Sequence, residues 1–126
     1  MDCVFKTPEG NFNYRVAGVV SRQNRLLVMT EKNIPHWYLP GGRVKLHESA
    51  EAALKREFAE ELYLPAEIKR PLWLVESFFM LEGKNEKFHE LCLCYLVDLP
   101  YENLPATDTW EQADSDGASH IFRWLT

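Results

Sequence analysis

The stretch from Gly42 to Leu64 constrains this chain more than any other. It reads Gly42-Arg-Val-Lys-Leu-His-Glu48-Ser-Ala-Glu-Ala-Ala-Leu-Lys-Arg56-Glu57-Phe58-Ala-Glu60-Glu61-Leu62-Tyr63-Leu64. A glycine turn leads into a helical pattern that Ser49 is placed to cap and that Pro65 stops soon after Leu62. An α-helix turns about 100° per residue, so Leu54, Phe58 and Leu62 share one apolar stripe facing the rest of the fold. Glu57, Glu60 and Glu61 fall beside that stripe, at the edge of a core. Like charges so spaced weaken a helix. A cation is the usual reason to keep them together, and hard divalent ions take oxygen ligands.

The remaining sequence frames this helix with strands. Residues 11–20 are aromatic and β-branched and read as a strand. Residues 21–24 read as a turn, and Arg25 to Thr30 as a second strand in a hairpin with the first. Trp37 to Leu39 is short and extended, and Pro40-Gly41-Gly42 breaks it. Residues 70–81 and 88–99 read as long strands joined by a polar turn over 82–87. Residues 100–119 read as loop, and 120–125 as a last strand. The pattern predicts one α+β domain over residues 1–126.

Composition narrows the class. With 126 residues, 46% apolar and 26% charged, the chain is of a size and make-up to bury one core. A net charge of −5 argues against non-specific binding to nucleic acid or anionic membrane. No apolar run is long enough to span a bilayer, and the first residues lack the pattern of a signal peptide. Cys3, Cys92 and Cys94 lack zinc-ligand spacing. Cys92 and Cys94 would share a strand face and pack as small apolar residues, the alternative being a redox or metal pair. A reducing cytoplasm is the expected location.

Arg56 and Glu48 carry a second expectation. An ion pair between them would tie the glycine loop to the helix and support a metal site from behind. Pairing of Arg56 with Glu60, one turn on, competes with it.

The segment resembles the Nudix box, the signature of the Nudix hydrolases. That pattern is Gly, five residues, Glu, seven residues, then Arg-Glu-apolar-any-Glu-Glu-any-Gly-apolar. Gly42, Glu48, Arg56, Glu57, Phe58, Glu60, Glu61 and Leu64 all stand at the required places. Tyr63 stands where the pattern has its last glycine, which implies a different exit from the helix. The resemblance implies an α/β/α sandwich with a mixed sheet. No counterpart of the family's usual C-terminal helix is read before Thr126, so either that helix is absent or the sequence is incomplete. Its absence would uncover part of a sheet face and favour a homodimer.

By resemblance the chemistry is hydrolysis of a diphosphate bond in a nucleoside diphosphate linked to another group, with Mg²⁺ or Mn²⁺ as cofactor. Glu57, Glu60 and Glu61 would be the metal's side-chain ligands, with the Gly42 carbonyl as a further one. Glu57 and Glu61 are candidates for the general base, as are the more distant Glu111, Asp114, Asp116 and Glu90. For each of the three loop acids a solvated role competes. Arg15 is the candidate phosphate contact, unless it snorkels from a strand edge. Trp37 is placed to stack on a base, and Gly41 and Gly42 to approach the substrate closely. No proline follows the box where ADP-ribose pyrophosphatases tend to carry one. That points to nucleoside triphosphates, oxidised ones included, ahead of ADP-ribose or nucleotide sugars. A nucleotide sensor without turnover is the alternative of another class.

Overall fold

The computed structural model describes residues 1–81, 83 and 85–126. Among the described residues one α-helix and two sheets form the framework. The first sheet contains β1 (Val4–Thr7), β2 (Gly10–Val19), β7 (Glu86–Asp98) and β6 (Glu67–Leu81) in the order β1-β2-β7-β6, and β5 (Gly41–Arg43) also pairs with β2. The β2–β7 pairing is parallel and the others are antiparallel, so the sheet is mixed. The second sheet runs β3 (Ser21–Arg22), β4 (Arg25–Thr30), β9 (Ser119–Leu125) and β8 (Thr109–Ala113) in the order β3-β4-β9-β8, all antiparallel.

The helix, α1 (Ala50–Leu62), begins as its sequence predicts. Ser49 Oγ accepts the Ala52 N–H at 3.1 Å, satisfying one of the first-turn donors. The stripe is also as predicted: Leu54, Phe58 and Leu62 are buried together with Ala53. They meet Val16 and Val20 at the end of the first sheet, Leu27 and Met29 of β4, Tyr95 and Val97 of β7, and Phe122 of β9. Phe58 is fully buried at the centre of this core. Truncating so enclosed an aromatic to alanine costs about 3–5 kcal/mol.

Several readings are corrected. Residues 11–20 and 25–30 do not form a hairpin with each other. The chain crosses between sheets at the fully buried Val20, so β2 pairs with β7 and β5 while β4 pairs with β9. The two strands touch through the Leu27 N–H donating to Val20 O at 2.9 Å. Local alternation is the same for either pairing; long-range partners decided it.

Residues 100–119 are not all loop. Tyr101–Asn103 forms a 3₁₀ turn and Thr109–Ala113 forms β8. Stacking of Trp110 on Phe122, with centroids 5.5 Å apart, fixes β8 to β9. The first strand, β1, was also unforeseen. The polar turn expected over 82–87 includes Glu82 and Lys84, which lie outside the described residues, while Glu86 and Lys87 already belong to β7. Cys92 and Cys94 are free thiols on one face of β7, as expected, and burial pushes the Cys92 thiol up to about 12. Among the described residues no helix is long and apolar enough to cross a membrane.

Tyr63 corrects a subtler expectation. The helix does not leave by a different route: Tyr63 itself adopts the left-handed conformation, with φ 56° and ψ 31°, and donates its N–H to Ala59 O at 3.1 Å. A non-glycine residue there costs roughly 1–2 kcal/mol. Its phenol offsets part of that cost by donating to Ala113 O at 2.8 Å.

Candidate active site

The glycine turn and the helix meet face to face. A Cβ placed on Gly42 would lie 2.4 Å from Glu57 Cδ, and one on Gly41 would lie 2.0 Å from Val16 O. Backbone closes the space at Gly41, and at Gly42 a side chain would have to displace the Glu57 carboxylate. Pairing of Gly41 with Ala17 and of Gly42 with Val16 holds the turn against β2, and so brings backbone against carboxylate.

Arg56 is the hub of this junction. Its Nε donates to Glu48 Oε2 at 2.8 Å and its Nη2 to Glu48 Oε1 at 2.9 Å, a bidentate pair. Its Nη1 donates to Glu57 Oε1 at 2.8 Å, and its Nη2 also reaches Arg43 O at 3.1 Å. Glu48 in turn accepts the Lys45 N–H at 3.0 Å. The Arg56 guanidinium holds the Glu48 carboxyl down at about 2. The predicted Glu48–Arg56 tie is therefore present. The competing partner, Glu60, is also engaged, but more weakly, at 3.5 Å.

Glu61 is the buried acid of the three, 6% exposed, and its Oε1 has no hydrogen-bond partner. Burial, then the nearby Glu57 carboxylate, pushes Glu61 up to about 9. Burial also raises Glu57, against the pull of Arg56. Arg15 of β2 lowers the proton affinity of Glu61 by its charge and so lies within electrostatic reach of it. Among the described residues no three His, Cys, Asp or Glu side chains close into a ready-made ion cage, and Glu60 leans toward Arg56. The donor set nevertheless fits a hard cation. It is all oxygen, it holds two carboxyls forced together at a burial cost, and one of its oxygens is unpartnered.

The distant acids separate clearly. Asp114, in the β8–β9 turn, is close enough to raise Glu61 by its charge. Its Oδ1 accepts the N–H groups of Asp116 and Ala118, and its Oδ2 the His120 Nε2–H at 2.8 Å. His120 foremost holds Asp114 below the usual carboxylate range. An acid so satisfied is a poor proton acceptor. Glu111 is exposed and accepts the Ser119 hydroxyl, and Asp116 is exposed in the turn. Glu90 pairs with Asn13 and Ser77 in the first sheet. Trp37 lies under the Arg123 guanidinium, 5.8 Å from its ring centroid, in the loop before Pro40.

Sequence reasoning missed the group behind Asp114. His120 is 6% exposed, with Nδ1 3.3 Å from Glu31 Oε1, and Glu31 also accepts the Tyr38 hydroxyl. Burial, and Glu31 beside it, raise the Tyr38 phenol. A signal was available. Alternation along β9 puts His120 on the same face as Phe122 and Trp124, so a polar residue occupies a core position. The β8–β9 hairpin also closes the helix end: Ser115 N–H donates to Glu60 O at 3.0 Å and Gln112 Nε2 to Glu61 O at 3.2 Å. These donors satisfy carbonyls that the last helical turn leaves free.

The NUDIX domain family model matches residues 12–126. The chain belongs to the Nudix family. The Nudix domain is similar to the ADP-ribose pyrophosphatase of Methanocaldococcus jannaschii, at 28% identity over 102 residues, which are 79% of this chain and 58% of that protein. It also resembles a Bacillus subtilis protein provisionally named 8-oxo-dGTP diphosphatase, at 46% identity over 43 residues, 34% of this chain and 29% of that one. The chain thus spans less than two thirds of either relative. Among solved structures, the MutT NUDIX hydrolase from Burkholderia pseudomallei shares the Nudix fold with a TM-score of 0.58 and 21% identity, covering 90% of this chain and 82% of that one.

Proposed function

We propose that this Nudix domain hydrolyses a diphosphate bond in a nucleoside diphosphate linked to another group, and that its substrate is a nucleoside triphosphate. The observation that carries the reading is the pair of buried carboxyls, Glu57 and Glu61, held against the Gly42 turn by Arg56. Two acids that repel each other out of water are costly unless a cation joins them. Glu57, Glu60 and Glu61, with the Gly42 carbonyl, would hold Mg²⁺ or Mn²⁺. The bound ion would neutralise phosphate oxygens and acidify the attacking water.

The chain's own residues divide the remaining work. Glu48 and Arg56 fix the Glu57 carboxylate in place. Arg15, on β2, the strand against which the glycine turn is paired, is the candidate for a bidentate phosphate contact. Glu61, with its unpartnered oxygen, is the box acid best placed to take the water's proton once a bound cation has displaced the proton that burial favours. Asp114, tied by His120 and two backbone donors, serves as a fixed negative charge at the site's border. The fit is to a small-molecule nucleotide in a reducing, cytoplasmic setting.

A second reading has its own support. The relative matched over most of this chain is named an ADP-ribose pyrophosphatase. Against it stands Ser77 to Leu81, which lacks the proline associated with that activity. The two are separated by incubating the domain with Mg²⁺ and each of nucleoside triphosphates, 8-oxo-dGTP, ADP-ribose and nucleotide sugars, and reading products by mass. Release of pyrophosphate from a triphosphate supports the first reading. Turnover of ADP-ribose alone supports the second. Tight binding without turnover of any would mark a sensor and overturn both.

A further inference from the structure

The outer edge of the first sheet is unlike the rest of the surface. β6 ends the strand order, so among the described residues one side of its backbone has no partner strand. Natural edges are guarded by charges, proline or bulges. The first part of β6 has all three: Lys69 and Arg70, Pro71, and two register shifts within residues 68–73. From Trp73 to Leu81 the strand is regular, without proline, and carries one charge, Glu76. That charge lies 3.6 Å from the chain's own His89.

Along this same stretch apolar side chains stand in water on both faces. Phe78 is 70% exposed and Trp73 and Leu74 are each 58% exposed, with Val75, Phe79, Met80 and Leu81 also open. An aromatic side chain buries roughly 150–250 Å² when covered, and Trp73, Phe78 and Phe79 together with four partly exposed aliphatic side chains offer several hundred Å², approaching the roughly 800 Å² per partner of a stable interface. Single exposed apolar residues need no explanation, but a contiguous patch of this size does.

We propose that the chain self-associates through β6, two copies pairing antiparallel along Trp73–Leu81 to make one continuous sheet. The occupant must supply backbone hydrogen-bond partners as well as apolar side chains. A lipid surface or a helix supplies only the second, and the net charge of −5 opposes anionic lipid. A second copy supplies both from the same nine residues. Antiparallel pairing over the whole stretch centres on Ser77, a small residue at the twofold axis. It sets Val75 beside the second copy's Phe79, and Leu74 beside its Met80. Such isologous contact closes on itself, so the β6 edge cannot add a third copy.

Sedimentation across micromolar concentrations tests the proposal. The expected result is a reversible species of twice 14.7 kDa, converted to monomer by Trp73→Lys or Phe78→Glu. A mass of 14.7 kDa throughout overturns it, as do assemblies larger than two or a dimer that both variants leave intact. Hydrogen exchange on the unaltered chain guards against variants that misfold. Amides of residues 73–81 are expected to gain protection as concentration rises, and constant exchange there overturns the proposal.

Discussion

Gly42 and Glu57 are packed so closely that a single methyl group on the glycine would sit 2.4 Å from the carboxylate carbon. The carboxylate end of Glu57 on the helix thus rests directly on the backbone of the three-residue strand. Gly42→Ala must push Glu57 away or tilt the turn. The expected outcome is loss of at least about tenfold in kcat, equivalent to about 1.4 kcal/mol, with the far-ultraviolet spectrum retained. Unchanged kinetics would show that Glu57 has freedom the packing denies it.

Glu61 makes stability and activity pull in opposite directions. Its folded pKa, about 9, lies above the ordinary 4.5. The protonated acid is therefore favoured by folding. That contribution is complete below about pH 4.5 and disappears as pH rises through about 9. Glu61→Gln removes the penalty, so in metal-free buffer at pH 8 this variant should melt above the unaltered chain. It should also lose turnover by orders of magnitude. A lower melting temperature at pH 8 would contradict the burial argument.

Metal should reverse that ranking. A cation that joins Glu57, Glu60 and Glu61 stabilises the folded chain by mass action. Millimolar Mg²⁺ is expected to raise the melting temperature of the unaltered chain and to leave Glu61→Gln nearly unmoved. Calorimetric scans with Mg²⁺ and with a chelator decide it. Equal shifts in both would place the ion elsewhere.

Glu48 gives the opposite sign at low pH. Arg56 holds its folded pKa near 2, below the ordinary 4.5. The ion pair's contribution is present above 4.5 and is lost as pH falls through about 2. Glu48→Gln should therefore flatten the acid limb of the stability curve below pH 4.5. It should also lower kcat with little change in KM, since Arg56 then positions Glu57 less firmly.

Tyr63 invites a test of the family's missing glycine. Glycine would remove a left-handed penalty of roughly 1–2 kcal/mol and forfeit an exposed hydrogen bond worth about 0.5–1.5 kcal/mol. Tyr63→Gly should accordingly fall within about 1 kcal/mol of the unaltered chain in urea unfolding, and Tyr63→Phe should be the less stable of the two.

Much of this was legible in order along the chain. The helix, its Ser49 cap, its apolar stripe and the Glu48–Arg56 tie all arise within a few turns of one another, where spacing translates directly into contact. The same holds for the box that marks the family. Pairing of strands did not follow, because β2 and β4 alternate alike whichever partner they meet, and Val20 sends them to different sheets. His120 was passed over for a related reason. Its neighbours Glu31 and Asp114 come from separate elements, and only the docking of β9 between them shows what the histidine holds.

The sequence by itself determined which acids, glycines and arginine gather at the candidate site, since their placement depends on helical periodicity and local turns. Tertiary structure alone decided how those acids differ. Glu61 is sealed from water and proton-hungry, Glu60 leans out toward Arg56, and Asp114 is held charged by a buried histidine. Burial and partner identity set a carboxyl's behaviour, and both are properties of chain segments brought together from far apart.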